Sequence, residues 1–203
     1  MRMMLKSLMW LILLLLCLGV TYYAFAYLLG PVNPNNDFKM KMASSGWVVP
    51  MHFYASGLAL LLVPWQLSSW LRQRAVRMHR LLGLLYVVAV LLGGIAGLLM
   101  ALQADGGWVA QLGFFSLAVL WLYCTGMAYV SILKGQVLAH QQWMYRSMAL
   151  TCAGITLRLF LGLGLGVMQW PFLTVYVPTA WLCWTLNLAV CEWLIRRRRP
   201  AAW

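Results

Sequence analysis

Four residues offer the chemistry most worth pursuing: His79 and Arg80 in Met-His-Arg-Leu-Leu-Gly, and His140 and Arg146 in His-Gln-Gln-Trp-Met-Tyr-Arg. Two imidazoles at one depth could supply both axial nitrogens of a b-type haem, with arginines meeting its propionates. The same quartet suits a quinone or another ligand, because a histidine pair alone fits several cofactors. It also suits no ligand at all, since basic residues near a bilayer surface meet lipid headgroups for about 1 kcal/mol each. A structural zinc is disfavoured, for it wants about four ligands and neither carboxylate nor thiol lies near enough in sequence.

Further residues are polar where the chain is otherwise apolar. Arg158 stands among leucines, about 15 residues beyond Trp143, or ~22 Å along a helix. A charge near the bilayer centre is unfavourable by ~2.5–3.5 kcal/mol, so this arginine should face a bundle interior and find a partner. Asn187 lies near the same depth, His52 and Tyr54 are within reach from above, and Asp105 is available from a loop. Such a cluster is either a structural tie or a clamp for an anionic solute. His52 has no partner histidine at its own level, so a second bis-histidine site is excluded by count. A bond to a backbone carbonyl or to Tyr54 suits it better. Glu192, the sole acid within an apolar run, sits one turn from Arg196 and suggests a local ion pair or a proton relay. Gln66 follows Pro64-Trp65 and is placed to satisfy backbone groups that a proline frees.

These residues are positioned by a chain whose solvent must be lipid. Of 203 residues 64% are apolar and 9% charged, against roughly 25% charged in soluble domains. The net charge of +12 falls in short clusters between apolar runs, which is how orientation in a membrane is set. It does not resemble the aromatic-lined basic groove of a nucleic-acid binder, so nucleic acid is not expected as a partner. Five cysteines, all inside apolar runs and without a Cys-x-x-Cys, read as small hydrophobes.

A hydrocarbon core of ~30 Å needs about 20 helical residues. Apolar runs of that length predict an all-α membrane protein: one integral domain, a bundle of six transmembrane helices near 8–29, 47–71, 81–103, 108–133, 143–168 and 177–195. The first run has a basic head and an Ala24-Phe25-Ala26 that resembles a signal-peptide cleavage site, but it is too long for a typical signal and reads as a retained helix. Residues 30–46 form a polar loop, and 72–80 a basic loop with four arginines. Glycines 83, 93, 94 and 97, and the Gly162-x-Gly164-x-Gly166 run, suggest close helix contact. The latter is no dinucleotide fingerprint, as no strand precedes it. Lysine and arginine crowd the amino terminus, the second and fourth loops and the tail, leaving Lys39 and Lys41 opposite. The positive-inside rule then puts both termini in the cytoplasm and His79 and His140 at the cytoplasmic face. Tryptophans 47, 70, 108, 143, 170, 181 and 193 fall near the interfaces as an aromatic belt would.

Enzymatic chemistry is thinly supported. There is no helical carboxylate pair, no Ser-His-Asp set, no His-Glu-x-x-His and no phosphate loop, and three acids leave hydrolysis without its usual groups.

Pro64-Trp65-Gln66, His79-Arg80-x-x-Gly83 with Tyr86, His140-x-x-Trp143-Met144-x-Arg146-Ser147 and Arg158 together resemble a bacterial membrane-protein family known only as a domain of unknown function. The likeness spans His52 to Arg158, with Leu84 where a basic residue is expected. It implies a multi-helix protein of the bacterial inner membrane in which His79, His140, Arg146 and Arg158 form one constellation, and it supplies no activity. Two functions therefore stand: a redox-associated module holding one haem or quinone near the cytoplasmic face, or a non-enzymatic subunit, homo-oligomer or small-solute transporter built around Arg158.

Overall fold

The computed structural model describes residues 2–30, 40 and 44–197. Among them every regular element is a helix, and six helices are long and apolar enough to cross a membrane: Ser7–Leu29, Val48–Leu67, Val76–Ala101, Gly107–Leu133, Val137–Val167 and Phe172–Arg197. The protein is an integral membrane protein whose leucine-, valine- and alanine-rich surfaces replace water with lipid. Lys39, Lys41, Arg198, Arg199 and most of the polar loop lie outside the described residues. The chain forms two compact units, Met1–Met100 and Ala101–Trp203.

The first unit contains α1 (Arg2–Leu29), α2 (Val48–Leu67), the short α3 (Ser69–Arg74) and α4 (Val76–Ala101). α1 and α2 run antiparallel, tied by Trp10 Nε1 donating to the Pro64 carbonyl (3.0 Å) and Thr21 Oγ1 to the Gly57 carbonyl (3.2 Å). Gly57 lets them close, because a Cβ there would meet Phe25 Cε1 at 2.6 Å. α2 and α4 meet at Gly93, where a Cβ would lie 2.8 Å from Ser56 Oγ and 3.1 Å from Ser56 N. With no water to solvate backbone in the core, such close approaches are how membrane helices gain packing energy.

The basic stretch 72–80 is helical rather than a loop. Ser68 begins α3 by accepting from Leu71 N (3.4 Å), and Arg72 Nη1 reaches back to the carbonyls of Gln66 (3.3 Å) and Leu67 (3.2 Å). Those are unsatisfied groups at the end of α2, and a cation is the favoured partner there. α4 then starts at Val76, five residues before the hydropathy boundary, so His79 and Arg80 stand inside it. Arginine is a strong helix former, and polarity alone does not stop a helix.

The second unit contains α5 (Gly107–Leu133), α6 (Val137–Thr151), α7 (Ala153–Leu161), a π-helical turn (Gly162–Val167) and α8 (Phe172–Arg197). The fifth span thus opens at Val137, not at Trp143, and is interrupted twice. At Cys152 the helix tightens, Ile155 N donating to the Cys152 carbonyl at 2.9 Å. The hydroxyls of Thr151 and Thr156 bond back to the carbonyls of Ser147 (2.9 Å) and Cys152 (3.4 Å), a habit that bends helices. The glycine run then widens into a π turn, with Met168 N donating to the Leu163 carbonyl (2.9 Å). Of its three glycines, Gly164 packs closely: a Cβ there would meet Val175 Cγ2 at 2.6 Å, while Gly162 and Gly166 face open space. α5 turns into α6 through Gly135, whose φ of +71° suits glycine. α8 begins at Phe172 and carries Pro178 within it.

Candidate functional site

The segment His140–Ser147 makes one contact after another with the helices beside it. His140 Nδ1 lies 2.9 Å from the Ala128 carbonyl on α5. A carbonyl only accepts, so Nδ1 carries the proton and a neutral ring keeps its lone pair on Nε2. One turn on, Trp143 meets Tyr123 edge to face, ring centroids 5.6 Å apart, and the Arg146 guanidinium lies 4.6 Å from the Trp143 ring centroid. Met144 is buried. Ser147 Oγ meets Thr125 Oγ1 at 2.6 Å, and Trp121 Nε1 donates to Thr151 Oγ1 at 2.9 Å. Since Thr125 Oγ1 gives its proton to the Trp121 carbonyl (2.8 Å), Ser147 is the donor between the two hydroxyls. A compact polar seam thus joins α5 to α6.

Arg146 does not wait for an anion from outside. Its Nε and Nη2 donate to the two carboxylate oxygens of Glu192 on α8, at 2.5 and 3.1 Å. The geometry is the bidentate fork that guanidinium and carboxylate favour. Helical spacing predicts Arg196, one turn away, as the partner of Glu192; its bidentate partner is instead forty-six positions distant. The one acid inside an apolar run must find a cation.

Arg158 and Asn187 divide differently from the sequence expectation. Asn187 Oδ1 accepts from Thr156 Oγ1 (3.0 Å) and its Nδ2 donates to the Ala149 carbonyl (3.2 Å), binding α8 to both halves of the broken fifth span. Arg158 Nη1 donates to the Gly154 carbonyl on its own helix (3.0 Å). Nothing in the sequence singles out Thr156, because a hydroxyl carries no signal in a hydropathy reading.

In the first unit the motif residues also converge. Gln66, buried at the end of α2, donates from Nε2 to the His79 carbonyl (3.2 Å), and Gly83 leaves room for its amide, a Cβ there lying 3.7 Å from Oε1. Gln66 therefore grips α4 rather than the backbone freed by Pro64. Tyr86, one turn past Gly83, is fully buried. Arg80 is exposed and His79 half-buried. Near the other end of α2, His52 Nδ1 bonds the Gly93 carbonyl at 2.8 Å, the backbone partner expected of it, with Ser56 Oγ 3.4 Å away.

No curated protein and no solved structure matches this chain. A family model described as a predicted membrane protein, DUF2306, matches residues 49–195. That interval covers the five spans after α1 apart from Val48, Arg196 and Arg197, and every tie described above except those from α1, and the chain belongs to the DUF2306 family of membrane proteins of unknown function.

Proposed function

We propose that this protein is a redox-associated module of the bacterial cytoplasmic membrane that holds one b-type haem through His140 and His79. The observation that carries the reading is the bond from His140 Nδ1 to the Ala128 carbonyl. Iron-ligating histidines nearly always give their second nitrogen to such an acceptor, which fixes ring orientation and raises ligand basicity. His79 would be the second residue to hold the group, and Gln66 donates to its backbone carbonyl. His79 and His140 both stand in the first turns of odd-numbered spans, the third and the fifth. Spans that cross in alternation begin those two at one face, and the positive-inside rule makes that face cytoplasmic, with both termini beside it. His52 makes a similar bond but stands on an even-numbered span and has no third histidine to join it.

Arg80, exposed beside His79, would meet a propionate. Arg146 is committed to Glu192 and acts instead by holding α6, and with it His140, against α8. The haem would supply one-electron chemistry, and the protein would supply two imidazole nitrogens and a counter-cation.

The test is the absorption spectrum of protein purified from cells fed a haem precursor. The reading expects a Soret band that shifts on reduction and is lost in His140→Ala and in His79→Ala, while His52→Ala keeps it. Protein that is colourless, or that keeps the band without either histidine, defeats it. A colourless preparation that releases stoichiometric quinone on solvent extraction would assign the same residues to a quinone.

A further inference from the structure

We propose that α3 and the first turn of α4 form a docking surface for the headgroup of an acidic phospholipid, with Arg74 and Arg77 meeting its phosphate and Trp70 lying at the boundary of headgroup and acyl chain.

The argument begins with a charge count. Arg72, Arg74, Arg77 and Arg80 fall within nine residues, yet the described residues of the first unit contain no aspartate or glutamate. Arg72 is accounted for, since its guanidinium caps the carbonyls that end α2. Arg80 is placed beside the proposed haem. Arg74 and Arg77 are exposed and make no hydrogen bond or ion pair among the described residues. Two guanidiniums at the end of a spanning helix, with no carboxylate among the described residues of their own unit to meet, call for an anion from outside.

The surroundings select which anion. Trp70 is 64% exposed on α3 and precedes Arg74 by four residues, so the two share a face of that helix. Trp65, 46% exposed, closes α2. An amphipathic indole beside a cation fits the membrane–water interface, where the ring rests on acyl chain and the charge on phosphate. A soluble anion would have no use for the tryptophan. α3 is also held in place at both ends, by Ser68 at its start and by the Ala75 N–H donating to the Leu71 carbonyl (3.1 Å) at its close. The arginines are therefore presented on ordered backbone, which reduces the entropy lost on binding.

Native mass spectrometry of the full chain in detergent, with phosphatidylglycerol and phosphatidylcholine of matched acyl chains, tests the surface. Each cation near anionic lipid contributes about five-fold, so two should give roughly thirty-fold preference for phosphatidylglycerol. Arg74→Gln/Arg77→Gln should reduce it to a few-fold, and Arg74→Lys/Arg77→Lys should keep most of it. Equal retention of the two lipids by the unaltered chain overturns the proposal whatever the variants do. So does loss of preference in Arg196→Gln/Arg197→Gln rather than in the α3 variant, or displacement of the lipid by millimolar inorganic phosphate, which would mark a site for a free anion. None of these readings depends on haem.

Discussion

Arg146 and Glu192 face each other across α6 and α8 with two parallel hydrogen bonds, and their side chains are 19% and 32% exposed. That partial exposure sets the expected energy below that of a fully buried pair, where loss of one partner costs 3–5 kcal/mol. Glu192→Leu should lower stability by about 1.5–3 kcal/mol, because it leaves a half-buried guanidinium without its acceptors. Arg146→Met in the same background should restore part of that loss. A double-mutant cycle on thermal unfolding in detergent measures the coupling; additive single losses would show that the pair contributes little.

Gly93 and Gly113 carry different neighbours but one requirement. A Cβ at Gly113 would lie 2.9 Å from the Ala180 carbonyl oxygen and 3.0 Å from the Trp181 side-chain Nε1, and the Ala180 backbone cannot retreat cheaply. Gly93→Ala and Gly113→Ala should each cost about 1–3 kcal/mol by overpacking. Gly126→Ala, where nothing lies within 4 Å, should be neutral or slightly stabilising. Three melting curves decide the point, and similar midpoints for all three would refute the contact geometry.

Asn187 links three helical segments through Thr156 and Ala149. Interhelical bonds in membranes average about 0.6 kcal/mol and reach about 1.7, so Asn187→Leu should cost on the order of 1–2 kcal/mol. Thr156→Val should cost less, and the two should fail to add because they share a bond. Full additivity in chemical unfolding would argue that the bond does not form.

Gln66 is buried to 4% exposure with its amide nitrogen on the His79 carbonyl. Gln66→Leu removes a hydrogen bond and should cost about 1 kcal/mol. Gln66→Glu is the more severe change, since a carboxylate would face a carbonyl oxygen in an apolar site. The order of melting temperatures should run from glutamine through leucine to glutamate, and a glutamate variant as stable as the original would contradict the assigned donor.

The six spans were legible because 20-residue apolar runs have few alternatives in lipid. His52 was legible in kind, a backbone carbonyl, though not as Gly93 in particular. What escaped the sequence depends on contacts distant along the chain. Glu192 has Arg196 at helical spacing, and nothing local reveals that Arg146 takes the carboxylate. The arginines of 72–80 read as a loop because charge suggests the end of a span, whereas Arg72 caps one helix while its neighbours continue into the next. Cys152 has no proline or glycine at its position to announce a bend. Its cause lies in threonine hydroxyls that turn back on their own helix.

The junction of α2 with α4 has an implication for how the chain tolerates editing. Between Gln66 and His79 there is hardly a residue whose backbone is not engaged by a helix or by Ser68, Arg72 or Gln66. Epitope tags or protease sites grafted at 73–75 would have to unpick that knot, while the exposed glycine turn at 134–136, held by local backbone hydrogen bonds alone, would accept them more readily.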